Sequence, residues 1–267
     1  MNGMETAQRI PALMYHRVGE AHNAWEARYC IPPHRFAAHM RALGDAGMQA
    51  VHLEDFIAWL EGQRNLPRGA FLITFDDGFL GVLEHAAPVL ERLGWPATMF
   101  LVSQLIGKTD EWCRNDPRNT TGATYPLMNQ AQLQELRGAG FTLQSHTRSH
   151  PDLTTLSDES LAEELAQSRQ ELQQLLDQPI DYLAYPYGRH DERVMEAARQ
   201  AGYHAAFSTR SGFNRRDVNP FQIRRIDVYG TDTPAMLLRK VRLGCNDGSL
   251  RHSLRYYAGR VAARLGA

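Results

Sequence analysis

The sequence predicts an α/β fold in which a mostly parallel sheet is covered by helices. Three observations carry that reading. Short apolar runs, too brief for a globular helix and mostly bounded by Gly, Pro or polar clusters, recur along the chain. Longer segments with apolar residues three or four apart separate them. No repeat, low-complexity tract or Pro/Gly/Ser linker divides the 267 residues, so one domain over 1–267 is expected. Periodicity leaves a doubly wound sheet and a closed (β/α) barrel equally open. In both, chemistry gathers at the C-terminal ends of the strands.

In chain order, the first strand is expected at Ala12–Tyr15, and Phe36, Met40 and Leu43 then mark a helical stripe. Gln49–Leu53 reads as the second strand, followed by a helix carrying Phe56, Ile57 and Leu60. Ala70–Phe75 is the third strand, and Leu83, Val89, Leu90 and Leu93 mark the next helix. Thr98–Val102 and Phe141–Gln144 follow as the fourth and fifth strands. The clearest helix is Ser157–Leu176, with Leu161, Leu165, Leu172 and Leu176 on one stripe. Ser157 caps it, Asp158 and Glu159 suit its positive N-terminus, and Gln178-Pro179 ends it. Tyr182–Tyr185, His204–Ser208 and Gln222–Asp227 complete the strands.

Composition narrows the function classes. Lys+Arg 29 against Asp+Glu 30 leaves a net charge of -1, which supplies no global attraction for nucleic acid or acidic membranes. No stretch approaches the ~18 uninterrupted apolar residues of a membrane-spanning helix. Cys30, Cys113 and Cys245 are odd in number and far apart, which fits free thiols better than a disulfide framework. The N-terminus lacks a basic segment leading into an apolar one, so a cytoplasmic location is expected.

Two strand ends carry chemistry. The run Phe71-Leu72-Ile73-Thr74-Phe75 stops at Asp76-Asp77-Gly78. Adjacent carboxylates at a crowded strand terminus repel each other unless a cation or donor compensates, so one is a candidate metal ligand and the other faces a substrate water. After the fifth strand come His146 and His150, an i, i+4 pair whose rings a helical turn would place on one side. Two imidazoles and one carboxylate leave coordination positions open, as a catalytic metal requires. Zn²⁺ is the default for such ligands, with Fe²⁺, Co²⁺ and Ni²⁺ left open.

Thr74-Phe75-Asp76-Asp77-Gly78, Ser145-His146-Thr147-Arg148-Ser149-His150 and Tyr185-Pro186-Tyr187-Gly188 together resemble, in order and placement, the first three motifs of the polysaccharide deacetylase family (NodB homology, carbohydrate esterase 4). Leu13-Met14-Tyr15-His16-Arg17-Val18 is similar to the first strand of many bacterial members, and the resemblance runs from about Pro11 to Tyr229. It implies a deformed (β/α)7–8 barrel core over about 11–229, with a helical extension over about 233–267. It also implies a metal-dependent hydrolase that removes N-acetyl groups from a glycan or a lipid-linked sugar precursor. Residue by residue it makes Asp76 the general base, Asp77, His146 and His150 the metal ligands, and the Tyr187 backbone N–H an oxyanion donor.

The sequence departs from that pattern in three places. The family's third motif often carries an Arg that orients the base, where this chain has Ala184. Ile223-Arg224-Arg225-Ile226-Asp227 offers a replacement, and since alternation lets one arginine point inward, Arg225, in phase with Ile223 and Asp227, is the choice. The late Leu-x-His motif that supplies a general acid is not evident. His252 lies in a helical pattern, so His16 at the first strand's end is the candidate acid and His190 a weaker one. The long polar connection 104–127 is expected to roof the site, with Trp112 or Tyr125 as sugar-stacking candidates. Residues 250–267 hold four arginines and no acid, which reads as a helix packed on the barrel, with peripheral contact to anionic lipid as the alternative. Hydrolysis of another amide, such as a formamide or cyclic ureide, and a carbohydrate-binding module without turnover are the rival readings.

Overall fold

The computed structural model describes residues 8–114 and 116–265, with side chains to 258. Ten strands alternate with nine α-helices among the described residues. The strands are β1 (Ala12–Tyr15), β2 (Arg17–Val18), β3 (Cys30–Ile31), β4 (Gln49–Ala50), β5 (Ala70–Phe75), β6 (Ala97–Leu101), β7 (Phe141–Ser145), β8 (Tyr182–Ala184), β9 (Ala205–Phe207) and β10 (Ile226–Asp227). The helices are α1 (Glu26–Tyr29), α2 (Pro33–Asp45), α3 (Leu53–Leu60), α4 (Ala87–Leu93), α5 (Gln130–Gly138), α6 (Asp158–Leu176), α7 (Glu192–Gln200), α8 (Pro234–Leu243) and α9 (Leu250–Leu265).

The main sheet runs β10-β1-β5-β6-β7-β8-β9, parallel throughout, with β4 paired to the start of β5. It curls until its edges meet through one irregular segment. Ile223 pairs in parallel with Phe207 on β9, and three residues later Ile226 pairs with Leu13 on β1. The result is a deformed (β/α) barrel, which settles the choice that periodicity leaves open. No helix among the described residues is long and apolar enough to cross a membrane.

Side-chain alternation divides the core in two. Phe71, Ile73 and Phe75 point from β5 to the helical layer, where α2, α5 and α6 cover the sheet with Phe36, Leu133 and Leu165. Ala12, Leu72, Phe100, Ala184, Phe207 and Ile223 point inward and meet Phe56 and Trp59 of α3, which plugs the barrel. The leucine, isoleucine and phenylalanine side chains among these each contribute roughly 1.5–3 kcal/mol on burial. The inward phase of β5 then continues from Leu72 through Thr74 to Asp76, so the strand that builds the core also aims a carboxylate into the barrel mouth.

Several boundaries differ from expectation for local reasons. The second strand stops at Ala50, because Leu53 opens α3 with Glu54 and Asp55 in its first turn, where they suit the helix dipole. The expected strand over Gln222–Asp227 is ordered as strand only at Ile226–Asp227, since Pro220 starts a 3₁₀ turn to Gln222. The helix around Leu83 opens as a π-turn at Val82–Ala86 before α4, which accommodates Pro88, whose ring would crowd the carbonyl four residues back. The two-residue pair β2–β3 is too short for periodicity to announce.

Candidate active site

Arg225 is fully buried, and its guanidinium grips Asp76 with two parallel bonds, Nη1 to Oδ1 at 2.6 Å and Nη2 to Oδ2 at 2.8 Å. Its Nε donates to the Ser208 carbonyl at 3.1 Å, and Nη1 also reaches Thr74 Oγ1 at 3.3 Å, so the fork is fixed on three sides. Arg224, one residue earlier, is exposed. Burial alone would raise the Asp76 pKa, but the Arg225 charge, with His146 and the hydrogen bonds from Arg225, outweighs it and holds Asp76 at about 2.

Strict alternation would turn Asp77 away from the barrel. Instead the strand ends there in left-handed backbone, with φ 77° at Asp77 and 91° at Gly78, and Asp77 also lines the cavity. A non-glycine residue in that region costs about 1–2 kcal/mol. Asp77 Oδ1 lies 3.5 Å from Nε2 of both His146 and His150, and ligand atoms of all three residues lie within 4.8 Å of one another. All three residues are buried, and Asp77 Oδ1 has no hydrogen-bond partner. An orphaned carboxylate oxygen facing two imidazole nitrogens is costly in itself and fits a bound cation.

The electrostatics agree with that fit. Burial, reinforced by Asp76 and Asp110, pushes the Asp77 carboxyl well above its usual range, a penalty that a cation would reverse. Burial holds His146 down to about 4 and His150 lower than usual as well, so both rings are neutral, the form that binds metal. His146 Nδ1 sits 2.7 Å from the Ala184 carbonyl, which makes Nδ1 the donor and leaves the Nε2 lone pair facing Asp77.

The histidine pair does not converge by a helical turn. Residues 146–150 form a loop with left-handed backbone at Thr147 (φ 69°) and His150 (φ 67°). Glu164 of α6 accepts from the backbone N–H of both Arg148 (2.9 Å) and Ser149 (2.5 Å), and Ser145 Oγ accepts from Thr147 N–H at 3.2 Å. Sequence reasoning missed this clamp. Its signal is an acidic residue at 164 inside the apolar stripe of Leu161, Leu165 and Leu172, where a buried carboxylate needs donors.

The remaining candidates divide. Tyr187 has left-handed backbone (φ 58°), is 52% exposed, and sets its ring edge against His150 with centroids 4.8 Å apart. His16 follows β1 directly across from Asp76, lines the cavity, and is held below its usual pKa chiefly by burial. His190 instead stacks on Tyr185 at 4.7 Å with Nδ1 at the Gly188 carbonyl, and His252 sits on α9 beside Asp247. In the roofing connection, Trp112 stacks on His150. Tyr125 lines the same cavity, with the Arg17 guanidinium 3.3 Å from its ring centroid, His22 parallel to it, and its hydroxyl donating to Glu26. Asp76, Asp77, His16, His146 and His150 line a cavity of about 410 Å³, which Trp25, Tyr29, Trp112 and Tyr187 also line, whereas His190 and His252 do not.

The sequence profile of the family described as polysaccharide deacetylase matches residues 63–206, more than half of the chain. Among individual proteins, the chain is 27% identical to YxkH of Bacillus subtilis (strain 168) over 224 residues, covering 84% of this chain and 73% of YxkH. It is 26% identical over 212 residues to the poly-beta-1,6-N-acetyl-D-glucosamine N-deacetylase of Staphylococcus epidermidis, covering 75% and 68% of the two chains. Its fold superposes on IcaB from Ammonifex degensii with a TM-score of 0.73 at 25% identity, covering 88% of this chain and 96% of IcaB. The Streptococcus pyogenes deacetylase PplD, solved in complex with acetate, gives a TM-score of 0.75 at 23% identity and covers 88% and 99%, a likeness of fold. The motifs that frame the cavity thus sit within a matched span and a shared barrel, and the chain belongs to the polysaccharide deacetylase family.

Proposed function

We propose that this chain is a metal-dependent hydrolase that removes N-acetyl groups from amino sugars of a glycan, with β-1,6-linked N-acetylglucosamine polymers as the substrate class that its named relatives favour. The observation that carries the reading is the unpartnered Asp77 Oδ1 set between two neutral imidazoles, beside a carboxylate that Arg225 keeps ionised. Asp77, His146 and His150 would hold a divalent ion, with Zn²⁺ the natural fit to two nitrogens and one oxygen. When bound, the ion supplies a Lewis acid that polarises the acetamide carbonyl and lowers the pKa of water.

The chain's own groups do the rest. Asp76 accepts a proton from the attacking water, and the two-pronged bond to Arg225 fixes which way its oxygens face. A carboxylate held near 2 is a weak base, so it acts only on a water that has been made acidic. The Tyr187 backbone N–H, presented by its left-handed turn, donates to the oxygen that becomes negative as the carbonyl carbon turns tetrahedral. His16 is neutral at rest, so one ring nitrogen accepts the proton held by Asp76 while the other donates to the departing amine. Acetate and a free amino sugar result. The aromatic side chains at the cavity wall bind the sugar rings. Acetate release from N-acetylglucosamine oligomers, measured with added Zn²⁺ and after chelation, tests the proposal. Full release by chelated protein, or none under any metal, would refute it.

A further inference from the structure

The two histidines of the candidate metal centre are supported in different ways. His146 has the hydrogen bond from Nδ1 to the Ala184 carbonyl, whereas His150 Nδ1 is buried and bonds no other residue, and its backbone is left-handed. What holds the His150 ring is aromatic packing. Trp112 lies over its face with centroids 4.4 Å apart and planes 21° from parallel, while Tyr187 and His146 present edges at 4.8 and 4.9 Å. Contacts of this kind favour particular ring geometries and so fix orientation as well as burying area.

Trp112 is itself anchored. The connection that carries it is pinned by Asn119, whose Nδ2 donates to the carbonyls of Cys113 and Ala123, and by the buried Asp110, which accepts from Tyr125 N–H. Its return limb pairs with the segment just after the aspartates: Leu127 bridges to Phe79, and Met128 N–H donates to the Gly78 carbonyl at 2.9 Å. One loop therefore touches both ligand-bearing stretches, Asp77 through the Gly78–Phe79 backbone and His150 through an indole.

We infer that Trp112 is a positioning residue for His150, its stacked indole standing in for the bond to a neighbouring strand that orients His146, so that the roofing loop sets the affinity of the site for a divalent ion. The inference rests on the reading that Asp77, His146 and His150 hold metal, and wild-type affinity measured in the same assay tests that reading separately. Partners that orient ligating histidines are worth about 10–100-fold in metal affinity, which sets the size of the expected effect.

The test is the dissociation constant for Zn²⁺ and Co²⁺, read by competition with a chromophoric chelator, on the full chain and its variants. Trp112→Ala is expected to weaken binding by about 10-fold or more, and Trp112→Phe, which keeps an aromatic face, to recover most of the loss. Trp112→Leu keeps bulk without a π face. It is expected to weaken binding too, and it carries the test should the alanine variant fail to fold. Trp25→Ala removes another tryptophan from the same cavity and is expected to leave affinity unchanged. Wild-type affinity in Trp112→Ala or Trp112→Leu, or equal weakening by Trp25→Ala, would overturn the inference.

Discussion

At the scale of single residues, the pair Asp76–Arg225 carries the sharpest expectations. Asp76→Asn removes the proton acceptor without touching the three candidate ligands. It is expected to lower acetate release by about 100- to 10,000-fold while leaving metal binding intact, and a wild-type rate would disprove the base assignment. Arg225→Gln leaves a buried carboxylate uncompensated, which costs about 3–5 kcal/mol where that carboxylate is ionised. The sign of its pH dependence follows from the shift. In the wild type Asp76 is held near 2, below the unfolded value of about 3.9, so the pair stabilises the fold above that value and loses its contribution as pH falls toward 2. Without Arg225, burial dominates and the Asp76 pKa rises, so protonation relieves the variant at a higher pH. The stability gap between the two proteins in urea unfolding should therefore be wide at pH 7 and narrower at pH 4.5. An equal gap at both would mean that Arg225 stabilises by packing alone.

At the scale of elements, strand ends and the turns that follow them place the chemistry. Gly188 completes the Tyr187 turn with φ 68°, and a Cβ there would meet Thr209 Oγ1 at 2.1 Å. Gly188→Ala is expected to displace the Tyr187 N–H and lower kcat for acetate release, with metal affinity unchanged in the chelator assay. Glu164→Ala should do the reverse, loosening the 146–150 loop and weakening metal binding first. Much of this was legible in the chain. The two-residue phase of β5 and of the segment from Ile223 to Asp227 is enough to aim Asp76 and Arg225 at each other. The positions of His146 and His150 were legible, but their route together was not, because left-handed backbone at Thr147 and His150 leaves no periodic trace. Nor could the sequence announce that Tyr125 packs on Arg17 and bonds Glu26, since contacts across distant loops have no local signature.

At the scale of the whole molecule, a barrel closed through Ile223 brings residues from β1, β5, β7, β8 and the β9–β10 segment to one rim. Alternating apolar runs were sufficient to predict the parallel sheet, and the ordered motifs to predict its closure. The short pair β2–β3 depends on tertiary contacts and was left unassigned, and the roofing connection was expected over the site without the internal bonds that shape it. The central proposal is that Asp77, His146 and His150 share a divalent ion on which hydrolysis depends. The most direct test is metal content and acetate release measured on the same preparations of wild-type and Asp77→Ala protein. One tightly held divalent ion per wild-type chain is expected, with both the ion and acetate release lost in the variant. A wild-type chain that releases acetate at full rate when stripped of metal, or an Asp77→Ala chain that holds its ion as tightly as before, would contradict it.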